Sequence, residues 1–284
     1  MKYLLNLLIL YSKFFLTKWA VFHILYWVIF MEIKIGDTVT RTSHNNDVIF
    51  KVMKIEGNIA YLKGMDVRLY ADSPLEDLVK TEHREEKMPE VNILTGDRDE
   101  YFYLPGKILH IDGDQDYLDK SLAFYKSAGV LAVGKRIPES EVPQKIDSLL
   151  KEIKPDILVI TGHDAFYGKL TNSSDISKYK NSKYFMKSVL KARDYEKSHE
   201  KLVIIAGACQ SDYEDIIKSG ANFASSPKRV NIHALDPAII AVNIALTDKN
   251  KRLDIKELLN KTKYGKNGIG GLVGNGMMYV GYPR

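Results

Sequence analysis

The chain of 284 residues holds one cysteine, Cys209, at the end of the apolar run Leu202-Val203-Ile204-Ile205-Ala206, in the segment Ala206-Gly207-Ala208-Cys209-Gln210-Ser211. A second apolar run, Ile157-Leu158-Val159-Ile160, ends in Thr161-Gly162-His163-Asp164. A thiol and an imidazole at the ends of two buried strands are the parts of a cysteine hydrolase, in which the imidazole takes the thiol proton and the sulfur attacks a carbonyl carbon. Free cysteines are more often small buried hydrophobes, and a histidine at a strand end is more often structural than a base. The pairing favours chemistry, as does the place of Cys209 among small residues outside the apolar run. Ser211-Asp212-Tyr213-Glu214 fits a capping box with Ser211 as N-cap, so a helix is expected directly after the thiol. Its free amides would favour the thiolate and could hold a tetrahedral oxyanion.

Several acids compete for a supporting role. Asp164 could orient His163 or bind a cationic substrate, or simply cap the turn. Asp236 could pair with a substrate arginine, although Asp236-Pro237 ahead of an apolar stretch reads more simply as a helix cap. Asp164 and Asp236 are thus the candidate substrate-binding residues beside the catalytic pair, and His233 is the second histidine to watch. Asp112-Gly113-Asp114 carries the Asp-x-Asp spacing of a metal or receiver-type site. With no phosphate-cradling loop nearby, these acids read as shaping the loop beside the active site. The competing function is a non-catalytic receiver-like or ligand-binding α/β domain built on Asp112 and Asp114. No cofactor and no metal are expected. One cysteine excludes an internal disulfide and a Cys-based zinc site. The glycines Gly265, Gly268, Gly270, Gly271, Gly274 and Gly276 lack the strand-then-helix setting of a dinucleotide fingerprint and read as a turn-rich tail.

The elements that must position these residues follow from the hydrophobic pattern. From residue 105 onward the chain alternates strand-like and helix-like segments, with strands expected at 107–111, 130–133, 157–161, 202–206 and 222–225. Helices are expected at 117–127, 142–153, 182–197, 212–218 and 237–246. This is an α/β domain, 105–284, with a parallel sheet carrying helices on both faces, and chemistry in such a sheet collects at the carboxyl ends of the strands. Residues 31–80 show short β runs at 38–42, 48–55, 59–62 and 67–70 separated by turns, which suggests a small SH3-like β-barrel serving as a docking module or a cap. Residues 81–104 read as a solvated linker. Residues 1–30 are almost wholly apolar and aromatic, and three of the five net positive charges are their Lys2, Lys13 and Lys18. Three readings stay open for them: an upstream start ahead of a true start at Met31, a membrane-associated helix, or an unusual signal sequence. The residual charge is too small for a nucleic-acid binder.

An apolar strand ending in a Gly/His pair, followed by one ending in Ala-Cys, resembles the caspase, gingipain and legumain group of cysteine peptidases. A closer resemblance, running from Met31 to Arg284, is to the YabG family of sporulation-specific peptidases. It is carried by Gly36-Asp37-Thr38-Val39, Ala71-Asp72-Ser73-Pro74, Leu109-His110-Ile111-Asp112-Gly113-Asp114, Thr161-Gly162-His163-Asp164, Ala206-Gly207-Ala208-Cys209-Gln210-Ser211, Ala221-Asn222-Phe223-Ala224-Ser225-Ser226-Pro227 and Gly268-Ile269-Gly270-Gly271. The resemblance implies a caspase-like three-layer sandwich and a Cys209–His163 dyad. It implies an endopeptidase that processes spore coat and cortex-associated proteins near basic residues, in the cytoplasm of the sporulating cell or at the spore coat. In the wider group the histidine is followed by glycine. Asp164 takes that place here, which leaves the Cys209 amide as the safer oxyanion donor. Arg84 and Arg98 in the linker suggest self-processing; membrane contact is expected only if residues 1–30 are genuine.

Overall fold

The computed structural model describes residues 32–84, 87–89, 100–168 and 175–283. The apolar segment 1–30 and Arg98 lie outside the described residues. The described chain forms two compact units, one of 32–65 with Tyr70–Arg84, the other of Asp66–Leu69 with 87–283. In the first, β1 (Thr38–Arg41), β2 (Phe50–Glu56), β3 (Ile59–Gly64), β4 (Tyr70–Pro74) and β5 (Leu78–Lys80) make an antiparallel sheet in the order β4-β3-β2-β1-β5. The period-2 pattern explains its core: Val39, Phe50, Val52, Ala60 and Leu62 are buried. The run expected at 67–70 is not a strand of this sheet. β4 begins only at Tyr70, and Asp66–Leu69 belong to the second unit, where Val67 bridges His233 and Arg68 is buried.

The second unit begins with β6 (Phe102–Leu104), inside the stretch expected to be linker. There follow β7 (Ile108–Asp112), α1 (Gln115–Ser127), β8 (Ala132–Arg136), α2 (Val142–Ile153), β9 (Ile157–Thr161) and α3 (Ser182–Tyr195). Then come β10 (Val203–Ala206), α4 (Tyr213–Lys218), β11 (Phe223–Ser225), α5 (Asp236–Ala245), α6 (Ile255–Asn260), β12 (Ile269–Gly271) and β13 (Tyr279–Gly281), the last pairing with β6. The main sheet has the order β12-β11-β10-β9-β7-β8, parallel throughout except for β12. Its strands are apolar on both faces because both faces are covered. Ile108, Val159 and Ile205 meet Phe124 of α1, Ile240 of α5 and Leu258 of α6. The alternate residues Leu109, Leu158 and Ile204 meet Ile146 of α2, Val189 of α3 and Ile216 of α4. The glycine-rich C-terminal stretch is not all turn. It supplies β12, where a β-carbon on Gly271 would strike Phe223 and the Asn222 carbonyl, so the tail can approach β11 only because it is glycine.

β7 lies between β8 and β9, and the chain leaves it first toward β8 and then crosses to β9. The helices following β7 and β9 cover opposite faces, so the loops after those two strands diverge at a topological switch point. A fully buried ion pair holds that point. Arg68 Nη1 donates to Asp112 Oδ2 at 2.5 Å, with both side chains at 0% exposure, and Arg68 Nη2 donates to the Ala234 carbonyl at 3.1 Å. Thr161 Oγ1 of β9 donates to the same Asp112 oxygen at 2.8 Å, and the Asp114 amide to the other at 2.9 Å. Burial alone would raise the Asp112 pKa. The Arg68 charge and the hydrogen bonds from His110 and Asp114 outweigh it and hold the carboxyl well below the usual carboxylate range.

Removing one member of such a pair leaves a bare buried charge. Arg68→Met is expected to lower the unfolding free energy in urea by about 3–5 kcal/mol, and Arg68→Met with Asp112→Leu by less than the sum of the single changes. A loss below about 1 kcal/mol for the single change would show the pair to be dispensable.

Candidate functional site

β9 and β10 run side by side in parallel, and their last registered pair is Ile160 with Ala206. His163 and Cys209 each follow three residues later, so the two candidate reacting groups leave the sheet from neighbouring strand ends at the same height. The Gly207 amide donates to the Ile160 carbonyl at 3.1 Å and carries the pairing one residue beyond the strands. The backbone then turns sharply, with φ of +110° at Gly207 and +58° at Gln210. A positive φ at a residue with a side chain is uncommon and collects at functional loops. Gln210 is held there by the Val230 carbonyl and Ser226 Oγ, and its own Oε1 accepts from the Phe166 amide at 3.3 Å.

The thiol is sealed in. Cys209 has 0% exposure, and its sulfur lies on the backbone of Ile232, accepting from the amide at 3.2 Å and donating to the carbonyl at 3.8 Å. Burial pushes the thiol up to about 11, against the pull of the Ile232 amide, the Arg68 charge and the Arg68 amide. The expected activation by a helix N-terminus is therefore absent. α4 begins at Tyr213 with Asp212, not Ser211, as its N-cap, and it is only six residues long. Ser211 is used elsewhere: its Oγ accepts from the Ala208 amide at 2.8 Å and donates to Asp164 Oδ2 at 3.2 Å. The Ala208, Gln210, Ser211 and Asp212 amides all donate within the fold.

His163 is held between two carboxylates. Its amide donates to Glu139 Oε1 at 2.7 Å, the same oxygen lies 3.7 Å from Nδ1, and Asp114 Oδ2 lies 3.8 Å from Nε2. The Tyr117 ring covers it at a centroid distance of 5.8 Å. Among the described residues the thiol and the imidazole are not hydrogen-bonded to each other; each is held by its own neighbours. Asp164 is an internal acceptor. Its Oδ1 receives the Ala165 and Asn181 amides and its Oδ2 the Ser182 and Ser211 hydroxyls. Asp236 is the first residue of α5 and not its cap, a place taken by Leu235. Its Oδ1 accepts from the Lys263 amide at 2.9 Å, while its Oδ2 is buried without a hydrogen bond. His233 Nδ1 accepts from the Leu235 amide at 3.2 Å, beside a cavity of about 330 Å3 that Asp66 and Lys120 help to line. The Asp-x-Asp acids are spent on structure, Asp112 on Arg68 and Asp114 Oδ1 on the first amides of α1. Among the described residues no three His, Cys, Asp or Glu side chains group as a metal ion would need. Arg84 is exposed. Glu139, three residues past the end of β8, and Arg68, inside a β-like run, carry no local sequence signal of these roles.

The profile of the family described as YabG peptidase U57 matches residues 34–96 and 83–283. Among curated proteins, the chain is similar to the sporulation-specific protease YabG of Bacillus subtilis (strain 168). It is 40% identical over 286 positions, which cover 89% of this chain and 99% of that one. Among solved structures, the 1.5 Å crystal structure of a novel cobalamin-binding protein from Desulfitobacterium hafniense DCB-2 gives a TM-score of 0.32 at 19% identity, over 49% of this chain and 58% of that one. That likeness is too slight to bear on fold or ligand.

Two measurements follow from the burial of these groups. With the Cys209 thiol near 11, only about one molecule in 10⁴ carries the thiolate at pH 7. Iodoacetamide is therefore expected to label native Cys209 far more slowly than a free thiol, with the rate climbing toward pH 11; labelling at the free-thiol rate at pH 7 would contradict the sealed setting. Burial also raises the Asp236 carboxyl from 3.8 to about 6, against the pull of the Lys263 amide. An acid whose folded value lies above its unfolded one costs stability once the pH passes through that window. Asp236→Asn is thus expected to be more stable than the native chain at pH 8 by about 1–3 kcal/mol, with the difference fading toward pH 4. Equal denaturation midpoints at pH 8 would mean that the buried charge is matched.

Proposed function

The chain belongs to the YabG peptidase U57 family, and from that premise we propose that its protease activity is that of a cysteine endopeptidase with Cys209 as nucleophile and His163 as proton acceptor. A sporulation-associated protease follows from the family alone; the cysteine class rests on the site. The observation that carries it is the equal three-residue reach of Cys209 and His163 beyond the registered pair Ile160 and Ala206. It puts a thiol and an imidazole on adjacent loops at the carboxyl edge of a parallel sheet, where such folds do their chemistry.

In the proposed reaction a substrate peptide takes the place of the Ile232 backbone against the sulfur. The Sγ proton passes to His163 as the sulfur bonds to the carbonyl carbon, and the Cys209 amide donates to the oxyanion. Collapse of the tetrahedral intermediate breaks the C–N bond, with the proton moving from His163 to the leaving amine. Water, deprotonated by His163, then hydrolyses the thioester and frees the thiol. Sealing the resting thiol under Ile232 keeps it from idle reaction, so activation belongs to the substrate complex and not to the free enzyme.

The substrates we assign are spore coat and cortex-associated proteins in the sporulating cell, cut near basic residues. Asp236 is the acid proposed to meet a basic side chain, because its Oδ2 accepts no hydrogen bond, whereas every acceptor position of Asp164 engaged above serves the fold. Self-processing at Arg84, and the caspase-like kinship, belong to the same proposal. Among the described residues no helix is long and apolar enough to cross a membrane. The receiver-like alternative loses its main support, since Asp112 is neutralised by Arg68.

Cys209→Ala and His163→Ala are each expected to lower turnover of fluorescein-labelled casein by at least about 10³-fold while leaving the thermal midpoint near that of the native protein. Native-level cleavage by either variant, or none by the native enzyme, would sink the cysteine endopeptidase reading.

A further inference from the structure

Glu139 lies in the loop after β8, with two strands between it and the strand that leads to Cys209, and none of its chemistry is used by the reaction as written. Its backbone is fixed by the preceding residue pair: the Ile137 amide donates to the Asp112 carbonyl at 2.9 Å, which ties the end of β8 to the end of β7. From there the carboxylate reaches across the ends of both central strands. A β-carbon on residue 113 or 162 would overlap Glu139 Oε1, so a side chain at either place would displace the carboxylate from its present position. Neither glycine has a left-handed backbone, and what each leaves free is the space that the end of this side chain occupies.

The far end of that reach is His163. One oxygen, Oε1, accepts from the His163 amide at 2.7 Å and stands 3.7 Å from Nδ1, so main chain and ring are referenced to the same atom. Burial would raise the Glu139 pKa, but its interactions with the His163 ring and amide prevail and keep it below the ordinary value. Among the described residues, Glu139 faces the imidazole at Nδ1 and Asp114 at Nε2, with Tyr117 over the ring. Asp114 is already committed through Oδ1 to the start of α1.

We infer that Glu139 is the positioning residue of His163: it holds the Nδ1–H tautomer and the ring's orientation, and so leaves Nε2 as the nitrogen that exchanges a proton with Cys209. The inference rests on the Cys209–His163 reading. The carboxylate itself gains and loses no proton; it stabilises the imidazolium formed when Sγ gives up its hydrogen, and releases that stabilisation when the leaving amine takes the proton.

The test uses the full-length protein and fluorescein-labelled casein. Glu139→Gln keeps an oxygen for the His163 amide and removes only the charge. It is expected to retain the native thermal midpoint and KM while kcat falls on the order of 10²-fold. Glu139→Ala is expected to fall further and to regain part of its kcat, with no change in KM, when formate is added to fill the vacated slot. A Glu139→Gln kcat within about twofold of native overturns the inference. So does a loss that appears in KM and thermal midpoint together, or an Ala variant that formate leaves untouched, because a packing role gives those results. Failure of the dyad itself is read separately, as retained casein cleavage in Cys209→Ala or His163→Ala.

Discussion

The ion pair between Arg68 and Asp112 is the constraint on which the rest of the α/β unit is arranged. Withdrawing two charges from water costs several kcal/mol for each, and attraction recovers it only where the remaining hydrogen-bonding capacity is also met. Asp112 meets that condition through Thr161 on the neighbouring strand and the Asp114 amide on its own loop, and Arg68 contributes by holding the Ala234 carbonyl. The ends of β7 and β9 and the loop running to Ala234 are thus fixed to one another through a single carboxylate. Ile232, which covers the thiol, lies in that same loop, and His163 follows Thr161 by two residues. The coordinates of both candidate reacting groups are therefore set by a pair that takes no part in the reaction.

The same arrangement keeps the Cys209 thiol neutral and covered. Low dielectric around Cys209 favours the neutral thiol, and the positive charge of Arg68 reduces that preference without reversing it. On the other side, Glu139 and Asp114 face the His163 ring. The thiol is thus kept neutral by burial, while the imidazole lies between Glu139 and Asp114. In the proposed reaction, proton transfer between them is coupled to a change in the cover over the sulfur, and a peptide backbone is chemically equivalent to the Ile232 backbone now in contact with it.

Much of the α/β unit was legible because strands buried on both faces leave a strong signal. β6, β12 and β13 were not expected, while β9 and α2 match the expected 157–161 and 142–153 residue for residue, and the other four expected strands differ by one to three positions. β8 is the worst placed of these, since an edge strand with half-buried residues has a weaker apolar run. The failures share a cause: each residue serves a partner distant in sequence. Val67 and Arg68 read as strand because β-branched and alternating residues do, and nothing local reveals that the segment leaves its sheet for Asp112. Ser211 has every local mark of an N-cap, yet Asp164 competes for its hydroxyl and the cap moves to Asp212. Glu139 sits in a charged, loop-like stretch whose composition says only that it is solvated. Cys209 and His163 could be singled out because rare residue types at strand ends need no knowledge of contacts, whereas their burial and partners do need it.

Strand β12 carries a consequence of a different kind. A parallel sheet built by successive crossovers ends in a strand with one row of unmatched amides and carbonyls, and β11 is such a strand, with Phe223, Ala224 and Ser225 all buried. Running the tail back antiparallel covers that row, while the opposite border, β8, ends in Lys135 and Arg136, charges that discourage another chain from adding there. The final glycine-rich stretch therefore moves the open border of the sheet from the buried β11 to a three-residue strand, so the last segment of the chain completes the sheet that its earlier strands began.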